Sequence, residues 1–553
     1  MGAMTTGRHS VPGALPDVPA PVQGQPTRQR TTPARRWLVA AYWLAGVLAA
    51  DACYLWLART RAVDSDGAAQ ALQAWAMLHG NLLLRGWWLS DVSFYTTELP
   101  EYMLVEVIRG LNADVVPVAA AITFTLVLLL AAVLAKGLTT GRAALARVLI
   151  TVGIMAAPQP SAGVKIFLSS PDHLGTTVPV LLAWLILDRA RQRWYIPLIV
   201  SVVLAIAAVA DTLTFVTGIG PLALVCAVRV GRAALVERKP LRSQGYHLGL
   251  GVGALAAGVV ARLVPDAIRA AGGFVIPSPI AELSGVHQLG HSLSVAGQGL
   301  LLLAGADFLG AGVSGGRLSA AELAFTWLHL AGLAVVGLGV LVAARRFLRE
   351  RGLVDQVLLT AVVVNLVSYV LSTQSGSVLA TREIVAVLPF GAVLAGRMLA
   401  DRVLAIRWAQ VALLIALAGY LGGLGYALAQ PSAPPQNQQL TAFLAAHHLR
   451  TGLSGYWQSN VVTLTSGNAV QVRQVTVDGT RIVPYKWNSD AAWYDPRQAS
   501  ANFVVFAPGT AEYPGWTANR AVLATFGPPA YSYRVGAYRI LVWHQNLLRD
   551  LRG

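Results

Sequence analysis

Asp64 and Asp66 are separated by a single serine and follow shortly after an apolar run. The next stretch, residues 68–78, carries apolar side chains at helical spacing, so the two acids should lie at a helix N-terminus, where negative charge is stabilised. A carboxylate in that place can be a simple N-cap. It can also be a general base that takes a proton from a hydroxyl group. The local pattern fits both alternatives equally well.

The same loop continues with Trp87, Trp88, Asp91 and Glu98. Such a mixture of carboxylates and aromatic rings predicts the edge of a polar pocket rather than a surface packed against lipid. A pocket of this kind at a membrane surface is suited to a lipid headgroup.

Ionisable residues also stand at the ends of apolar runs, where they are costly unless they face a cavity or a partner. His173 follows Asp172 at the start of one run, and the alternative to a functional role is a helix cap by Asp172 with an interfacial histidine. Asp211 lies in a corner between two runs, and Arg382 opens another. These two could form a structural ion pair, or Arg382 could pair with Glu383 or extend to the interface.

His287 and His291 are four residues apart and would share one face of a helix. Gln288 stands where a His-Glu-x-x-His zinc site requires an acid, and Gly290 weakens the helix. The pattern of this pair therefore argues against a zinc site.

The composition indicates which elements position these residues. Of 553 residues, 55% are hydrophobic and 12% are charged, about half the charged fraction of a soluble domain. Eleven apolar runs approach the length that crosses a bilayer. They are 37–57, 114–135, 143–159, 174–188, 194–210, 213–229, 247–264, 322–344, 353–373, 380–399 and 406–428. The chain is thus predicted to be a polytopic α-helical membrane protein.

Charge predicts the orientation. The formal charge of +16 lies mostly in short basic clusters on alternate connections, which is a topology signal and not a nucleic-acid footprint. We predict a disordered cytoplasmic tail over 1–34, a plasma-membrane domain over 35–429, and an extracytoplasmic domain over 430–553. The run 293–309 would break the charge alternation if it spanned, so we interpret it as an interfacial or re-entrant helix.

The C-terminal region is predicted to be a small soluble α/β domain, with one helix and five strands separated by turns. The helix is 438–448, and the strands are 461–464, 470–475, 502–506, 533–535 and 538–543. Its many aromatic rings either form the core or stack on sugars.

The first outer loop carries a family resemblance. Asp-Ser-Asp at 64–66, followed by A-x-x-A-L-Q-A-x-x-x-L-H-G-N over 68–81, resembles the GT-C membrane glycosyltransferases, which use polyprenyl-phosphate sugars as donors. The C-terminal segments G-Y-W-x-S-N, F-G-P-P and V-W-H-Q-N-L-L resemble tails of actinobacterial members. The resemblance implies that Asp66 is the catalytic base and Asp64 the nearby alternative. Gly67 stands where the family usually has glutamate, which leaves the role of a divalent cation open.

The resemblance also implies roles for the other residues. Arg382 would hold the lipid phosphate, and His173 matches a His-x-Gly-Thr of the family. The loop with His287 and His291 would complete the donor site. Because phosphate leaves as a stable anion, one carboxylate base suffices. A double displacement would need a second carboxylate, which Asp64, Asp91 or Glu98 could supply.

We therefore predict an inverting-type glycosyltransferase that moves a sugar from a polyprenyl phosphate to a cell-envelope glycan, glycolipid or protein outside the membrane. One alternative is a secondary transporter, which predicts internal repeats and paired broken spans. The other is a non-catalytic envelope assembly protein, in which Asp66 would be dispensable.

Overall fold

The computed structural model describes residue 2 and residues 33–160, 162–277, 281–308, 318–349, 352–433, 437–506 and 515–551. The predicted tail over 1–34 lies almost entirely outside the described residues. The chain divides into two units, residues 1–48 and residues 49–553. Apart from the start of the first helix, everything below belongs to the second unit.

The first part of the described chain is helical. Its helices are α1 Pro33–Ala58, α2 Ser65–Leu78, α3 Glu98–Arg109, α4 Val115–Lys136, α5 Gly141–Met155, α6 Ala162–Leu168, α7 Leu174–Arg189, α8 Ile196–Ala210, α9 Gly220–Leu235, α10 Gly245–Ala270, α11 Leu289–Ala304, α12 Ala320–Arg346, α13 Leu353–Leu371, α14 Val387–Ala405 and α15 Arg407–Leu428. A π-helical turn, Phe215–Ile219, precedes α9, and a 3-10 segment, Val378–Ile384, precedes α14.

Each of the eleven predicted spans contains a helix. Among the described residues, eight helical segments are long and apolar enough to cross a membrane: α1, α4, α9 with its π-turn, α10, α12, α13, α14 with its 3-10 segment, and α15. The runs 143–159, 174–188 and 194–210 correspond to α5, α7 and α8, which have 15 or 16 residues. At about 22–24 Å these are shorter than the roughly 30 Å hydrocarbon core. Helix α11 is not among the eight, and its re-entrant course stays a prediction.

Helix α14 lies at the centre of the helical domain. Within its span 89% of the residues are buried, against 11% for α15. Helices α4, α5, α12 and α13 all pack against it, whereas α15 exposes Leu414, Ile415 and Leu421. The segment that carries Arg382 is thus attached directly to the most enclosed helix.

The C-terminal region is the predicted α/β domain. Its helices are α16 Gln438–Ala446, α17 Tyr456–Thr465 and α18 Gly515–Phe526, and its main strands are β2 Thr451–Ser454, β3 Gln471–Asp478, β4 Arg481–Pro484, β6 Phe503–Phe506, β7 Tyr531–Val535 and β8 Tyr538–Val542. They form one sheet in the order β4-β3-β2-β6-β8-β7. Strand β2 is parallel to β3 and β6, while the other pairs are antiparallel.

One predicted strand is wrong. Residues 461–464 lie within helix α17. Their Val-Val-Thr-Leu sequence has high strand propensity, but this propensity depends on the surface available for packing. Here the segment packs between α2 and β3. The Thr463 hydroxyl donates to the Ser459 carbonyl at 2.9 Å and accepts from the Val472 amide at 3.0 Å. Tertiary packing therefore determines the helix.

A small second sheet joins the C-terminal domain to the first loop. Strand β1 Trp87–Trp88 pairs antiparallel with β5 Ser489–Asp490. The ring of Trp87 meets that of Trp493 edge-on at 5.0 Å, and the Arg473 guanidinium lies 4.0 Å from the centre of the Trp493 ring. Trp493 thus belongs to the contact between the first loop and the C-terminal domain, as a core-forming ring.

Candidate active site

Three carboxylates converge on the guanidinium of Arg382. Arg382 Nη2 donates to Asp64 Oδ2 at 2.8 Å, and Nη1 donates to Asp172 Oδ2 at 2.8 Å. Asp66 Oδ2 lies 3.6 Å from Nη1, and the Ser169 hydroxyl accepts a further bond from Nη2 at 2.7 Å. We call Asp64, Asp66, Asp172 and Arg382 the four-charge cluster.

Three chain segments position this cluster. Asp64 is the N-cap of α2, where its side chain accepts from the Gly67 amide at 2.9 Å, so the predicted helix start is confirmed. Asp66 lies in the first turn of the same helix. Asp172 precedes α7, and Arg382 lies in the 3-10 segment before α14. Asp64 is therefore both a helix cap and a member of the cluster.

Asp66 is the most open carboxylate of the cluster. Its side chain keeps 28% of its surface accessible, against 19% for Asp64 and 10% for Asp172. Burial, followed by the negative charges of Asp64 and Asp172, raises the pKa of Asp66 to about 7, and Arg382 and a hydrogen bond from Tyr456 oppose the rise. A base with a pKa near neutrality is well matched to proton transfer at physiological pH.

The glycine after Asp66 has a steric cause. A Cβ at Gly67 would lie 2.7 Å from Val116 Cγ1 and 3.0 Å from the Ser170 Cβ. A glutamate side chain does not fit between these atoms. The close approach of α2 to α4 therefore explains why this chain has glycine at position 67, where the family that it resembles usually has glutamate.

His173 forms a second group beside the cluster. Its Nδ1 lies 2.8 Å from Asp211 Oδ2, and its Nε2 lies 3.6 Å from Glu383 Oε1. Burial opposes protonation, but the carboxylates of Glu383, Asp211 and Asp172 outweigh it and raise the pKa of His173 well above its usual value. Asp211 thus pairs with His173 and not with Arg382, and Asp172 binds Arg382 instead of capping α7.

Asp91 and Glu98 occupy different positions. Burial raises the pKa of Asp91; the charge of His173 opposes the rise, and those of Asp211 and Asp172 add to it. Glu98 is fully buried and accepts from the hydroxyls of Thr97 and Thr176. Burial raises its pKa to about 8. A carboxyl that stays protonated at neutral pH is poorly suited to be a second nucleophile.

The two loop histidines lie elsewhere. His287 is exposed in a short 3-10 turn before α11. His291 is exposed on α11, with its Nε2 3.3 Å from the carbonyl oxygen of Gly376. Among the contacts of the described residues, neither histidine joins the four-charge cluster.

The cluster does not have the form of a metal site. Within the described ranges, no group of three or more His, Cys, Asp and Glu side chains is arranged to hold a metal ion. The three carboxylates instead meet on Arg382, whose guanidinium takes the position between them. A divalent cation would fit only if this arginine moved away.

Two cations near the cluster were not among the predicted site residues. Lys165 on α6 lies close enough to Arg382, Asp64 and Arg61 for their charges to act on it; burial and the two arginines lower its pKa, and Asp64 opposes this. The Nε of Arg61 is buried without a hydrogen-bond partner. Positive charge is rare on connections that are predicted to lie outside. The presence of Arg61 and Lys165 on such connections was therefore the sequence feature that could have identified them as site residues.

A cavity opens beside Arg61. Its volume is about 250 Å³, and its lining includes Thr60, Arg61, Pro160, Glu322 and Gln430. It lies between the end of α1, the residues around α6, the start of α12 and the end of α15. Arg61 is therefore one of the residues that a ligand in this cavity would contact.

The fold has counterparts among solved structures. The crystal structure of ArnT from Cupriavidus metallidurans bound to undecaprenyl phosphate matches with a TM-score of 0.53 and 12% identity, covering 92% of this chain and 98% of that one. Its apo form matches with a TM-score of 0.52 and 13% identity, covering 93% and 100%. The Archaeoglobus fulgidus oligosaccharyltransferase tethered to an acceptor peptide gives a TM-score of 0.46 and 14% identity over 85% and 70%.

No family model matches the chain, and no curated protein does so either. The match to ArnT extends over nearly the full length of both chains. The chain thus has a GT-C fold, with a helical membrane domain followed by a sheet-containing C-terminal domain.

Proposed function

We propose that this protein is an inverting membrane glycosyltransferase that moves a sugar from a polyprenyl phosphate to a hydroxyl group of an acceptor. The observation that carries the proposal is Asp66, the most accessible carboxylate of the four-charge cluster, which lies 3.6 Å from Arg382 and has a pKa of about 7. The shared fold with ArnT, which was solved with undecaprenyl phosphate, supports a lipid-phosphate donor.

The reaction needs one base and a charge-stabilised leaving group. Asp66 takes the proton of the acceptor hydroxyl while its oxygen attacks the anomeric carbon. The bond from that carbon to the phosphate oxygen breaks, and its electron pair stays on the polyprenyl phosphate. Little acid assistance is required, because the phosphate leaves as a stable anion. The proton then passes from Asp66 to solvent.

Arg382 alone does not attract an anion. With all groups ionised, three carboxylates around one guanidinium give the four-charge cluster a net charge of −2. Lys165 and Arg61 would supply the missing positive charge for the lipid phosphate. We therefore assign phosphate contact to these two residues, and assign Arg382 to holding the carboxylates in place.

Direct displacement is favoured over a covalent intermediate. A double displacement requires a second ionised carboxylate that is free to attack. Asp64 and Asp172 are both bonded to Arg382 at 2.8 Å, and Glu98 has a pKa of about 8. The side chains of these three residues are all less exposed than that of Asp66.

We infer from the charge distribution that the acceptor lies outside the cytoplasm. Arg382 and Arg397 lie at opposite ends of the span 380–405, and Arg397 belongs to one of the basic clusters that the positive-inside rule assigns to the cytoplasm. The site would then face outward together with the C-terminal domain, and the N-terminus would be cytoplasmic. Cell-envelope glycans, glycolipids and proteins are the acceptors within reach.

A reconstituted assay tests the proposal. The purified protein in lipid nanodiscs is incubated with undecaprenyl-phosphate-linked pentoses and hexoses, with and without a cell-envelope glycan fraction. We expect acceptor-dependent release of undecaprenyl phosphate, detected by mass spectrometry. Intact donor in every combination would contradict a transferase function.

Lys165→Ala should weaken the binding of undecaprenyl phosphate by about tenfold, because it removes one charge-assisted contact to the phosphate. The dissociation constant is measured with the lipid alone, so the result does not depend on the sugar. Lys136→Ala is the matched control, since it removes the same charge at the other end of the helical domain. Equal affinities for the Lys165 variant and the wild type would exclude Lys165 from the phosphate site.

A further inference from the structure

The C-terminal domain contributes a side chain to the four-charge cluster. Tyr456, at the start of α17, donates its hydroxyl hydrogen to Asp66 Oδ1 at 2.5 Å. The two residues are 390 positions apart in the chain, and the tyrosine is 6% exposed. The bond occupies one oxygen of Asp66 and leaves Oδ2, 3.6 Å from Arg382, as the oxygen for other partners.

The direction of this hydrogen bond is set by its neighbours. Asn488 Nδ2 donates to the Tyr456 hydroxyl oxygen at 3.0 Å, and Gln73 Nε2 donates to Asn488 Oδ1 at 3.0 Å. A tyrosine hydroxyl has a single hydrogen, so a tyrosine that accepts from Asn488 gives its own hydrogen to the carboxylate. Gln73, Asn488 and Tyr456 thus form a relay of donors that ends on Asp66.

The relay begins and ends on one helix. Gln73 is seven residues after Asp66 on α2, which places both on the same face. Between them, the relay passes through two separate segments of the C-terminal domain. Gln73 and Asn488 are as deeply buried as Tyr456, and bonds in a chain of this kind strengthen one another in a low-dielectric environment.

A second set of contacts fixes the start of α17 on α2. Ser65 Oγ donates to the Tyr456 carbonyl at 2.5 Å, and Asn460 Nδ2 donates to Ser65 Oγ at 3.0 Å. These groups are buried as well. The tyrosine is therefore held by its backbone and by its hydroxyl, and its ring is not free to turn away from Asp66.

We infer that Tyr456 is a positioning residue for the transfer reaction: it orients the Asp66 carboxylate and stabilises its ionised form, so that the C-terminal domain completes the active site. The inference rests on the proposed function of Asp66 as the base. Burial and the repulsion of Asp64 and Asp172 work against ionisation of Asp66. The hydrogen bond that Tyr456 donates to the Asp66 carboxylate favours the ionised form and so opposes both effects.

Tyr456→Phe tests the inference through the pH dependence of kcat/KM. Because the lost hydrogen bond favours the ionised form, its removal should raise the pKa of Asp66 further and move the acidic limb of the profile upward by about one pH unit. We expect kcat at pH 7 to fall by about fivefold, because a smaller fraction of Asp66 is ionised at that pH. Asn488→Ala removes the side chain that donates to the Tyr456 hydroxyl. It should also move the acidic limb of the profile upward, but by a smaller amount.

Tyr494→Phe is the matched control. The Tyr494 hydroxyl donates to the Gln474 carbonyl at 2.6 Å within the same domain, so this variant also loses a buried tyrosine hydrogen bond. Its pH profile should equal that of the wild type. An active wild type whose profile coincides with that of both Tyr456→Phe and Asn488→Ala would make Tyr456 merely structural. A wild type that turns over no donor would overturn the proposed function, and this inference with it.

Discussion

Asp66→Asn is expected to lower kcat by roughly a thousandfold, which is within the usual contribution of a general base. The asparagine has the same shape and can still accept from Tyr456, so folding and donor binding should be preserved. The measurement is release of undecaprenyl phosphate at saturating donor, with the affinity for undecaprenyl phosphate determined in parallel.

Two further variants test whether the loss of activity is specific to Asp66. Asp266→Asn removes an exposed carboxylate that pairs with Arg269 near the end of α10, and it should leave kcat unchanged. Asp64→Asn keeps a good helix cap but loses an ion pair, so only a partial loss is expected. Full turnover by the Asp66 variant would refute its role as base, and an inactive Asp64→Asn beside it would transfer that role to Asp64.

Arg382→Ala is expected to have the second large effect, on both stability and activity. Its removal leaves three carboxylates facing one another without a cation, and breaking a buried charge pair typically costs about 3–5 kcal/mol. The melting temperature should fall, and kcat should decrease by more than about a hundredfold because Asp64 and Asp66 lose their orientation. Arg382→Lys keeps the positive charge but loses the forked geometry of the guanidinium. It should therefore retain only part of the stability and part of the activity of the wild type.

The same variant tests whether the arginine takes the place of a metal ion. With the guanidinium gone, three carboxylates surround a space that suits a divalent cation. We expect Arg382→Ala, but not the wild type, to bind Mn²⁺ in electron paramagnetic resonance titrations. Turnover by the wild type should persist in EDTA. Loss of that turnover, restored by Mg²⁺ or Mn²⁺, would contradict this assignment, and Arg269→Ala controls for the loss of one positive charge.

The helices could be predicted from sequence because few backbone conformations are possible in lipid. A backbone surrounded by hydrocarbon has to satisfy its own hydrogen bonds, so long apolar runs become helices. Each of the eleven runs contains one. The ends of α7 and α8 were predicted to within two residues, whereas α5 ends at Met155, ahead of Pro158, and not at residue 159 as predicted.

The residues of the candidate site stay predictions, and the sequence indicated their types and local positions but not their partners. Asp64 at a helix start followed from the spacing of apolar residues after it. The partners of Arg382 did not, because they lie 210 to 318 residues away and nothing local distinguishes Asp172 from Asp211 as the acceptor. Tyr456 was counted only as one aromatic ring among many. Its hydrogen bond depends on α17 being a helix, and part of that segment was predicted as a strand.

The pairing of β1 with β5 has a consequence for how the protein is made. Residues 87–88 leave the ribosome long before residues 489–490, their partners in the small sheet. Asp66 must likewise wait for residue 456. A nascent, truncated or proteolytically clipped chain that holds every membrane helix but not residue 456 would therefore lack the hydrogen bond that orients Asp66. Full activity would therefore be reached only after the C-terminal domain has been synthesised and has paired with the first loop.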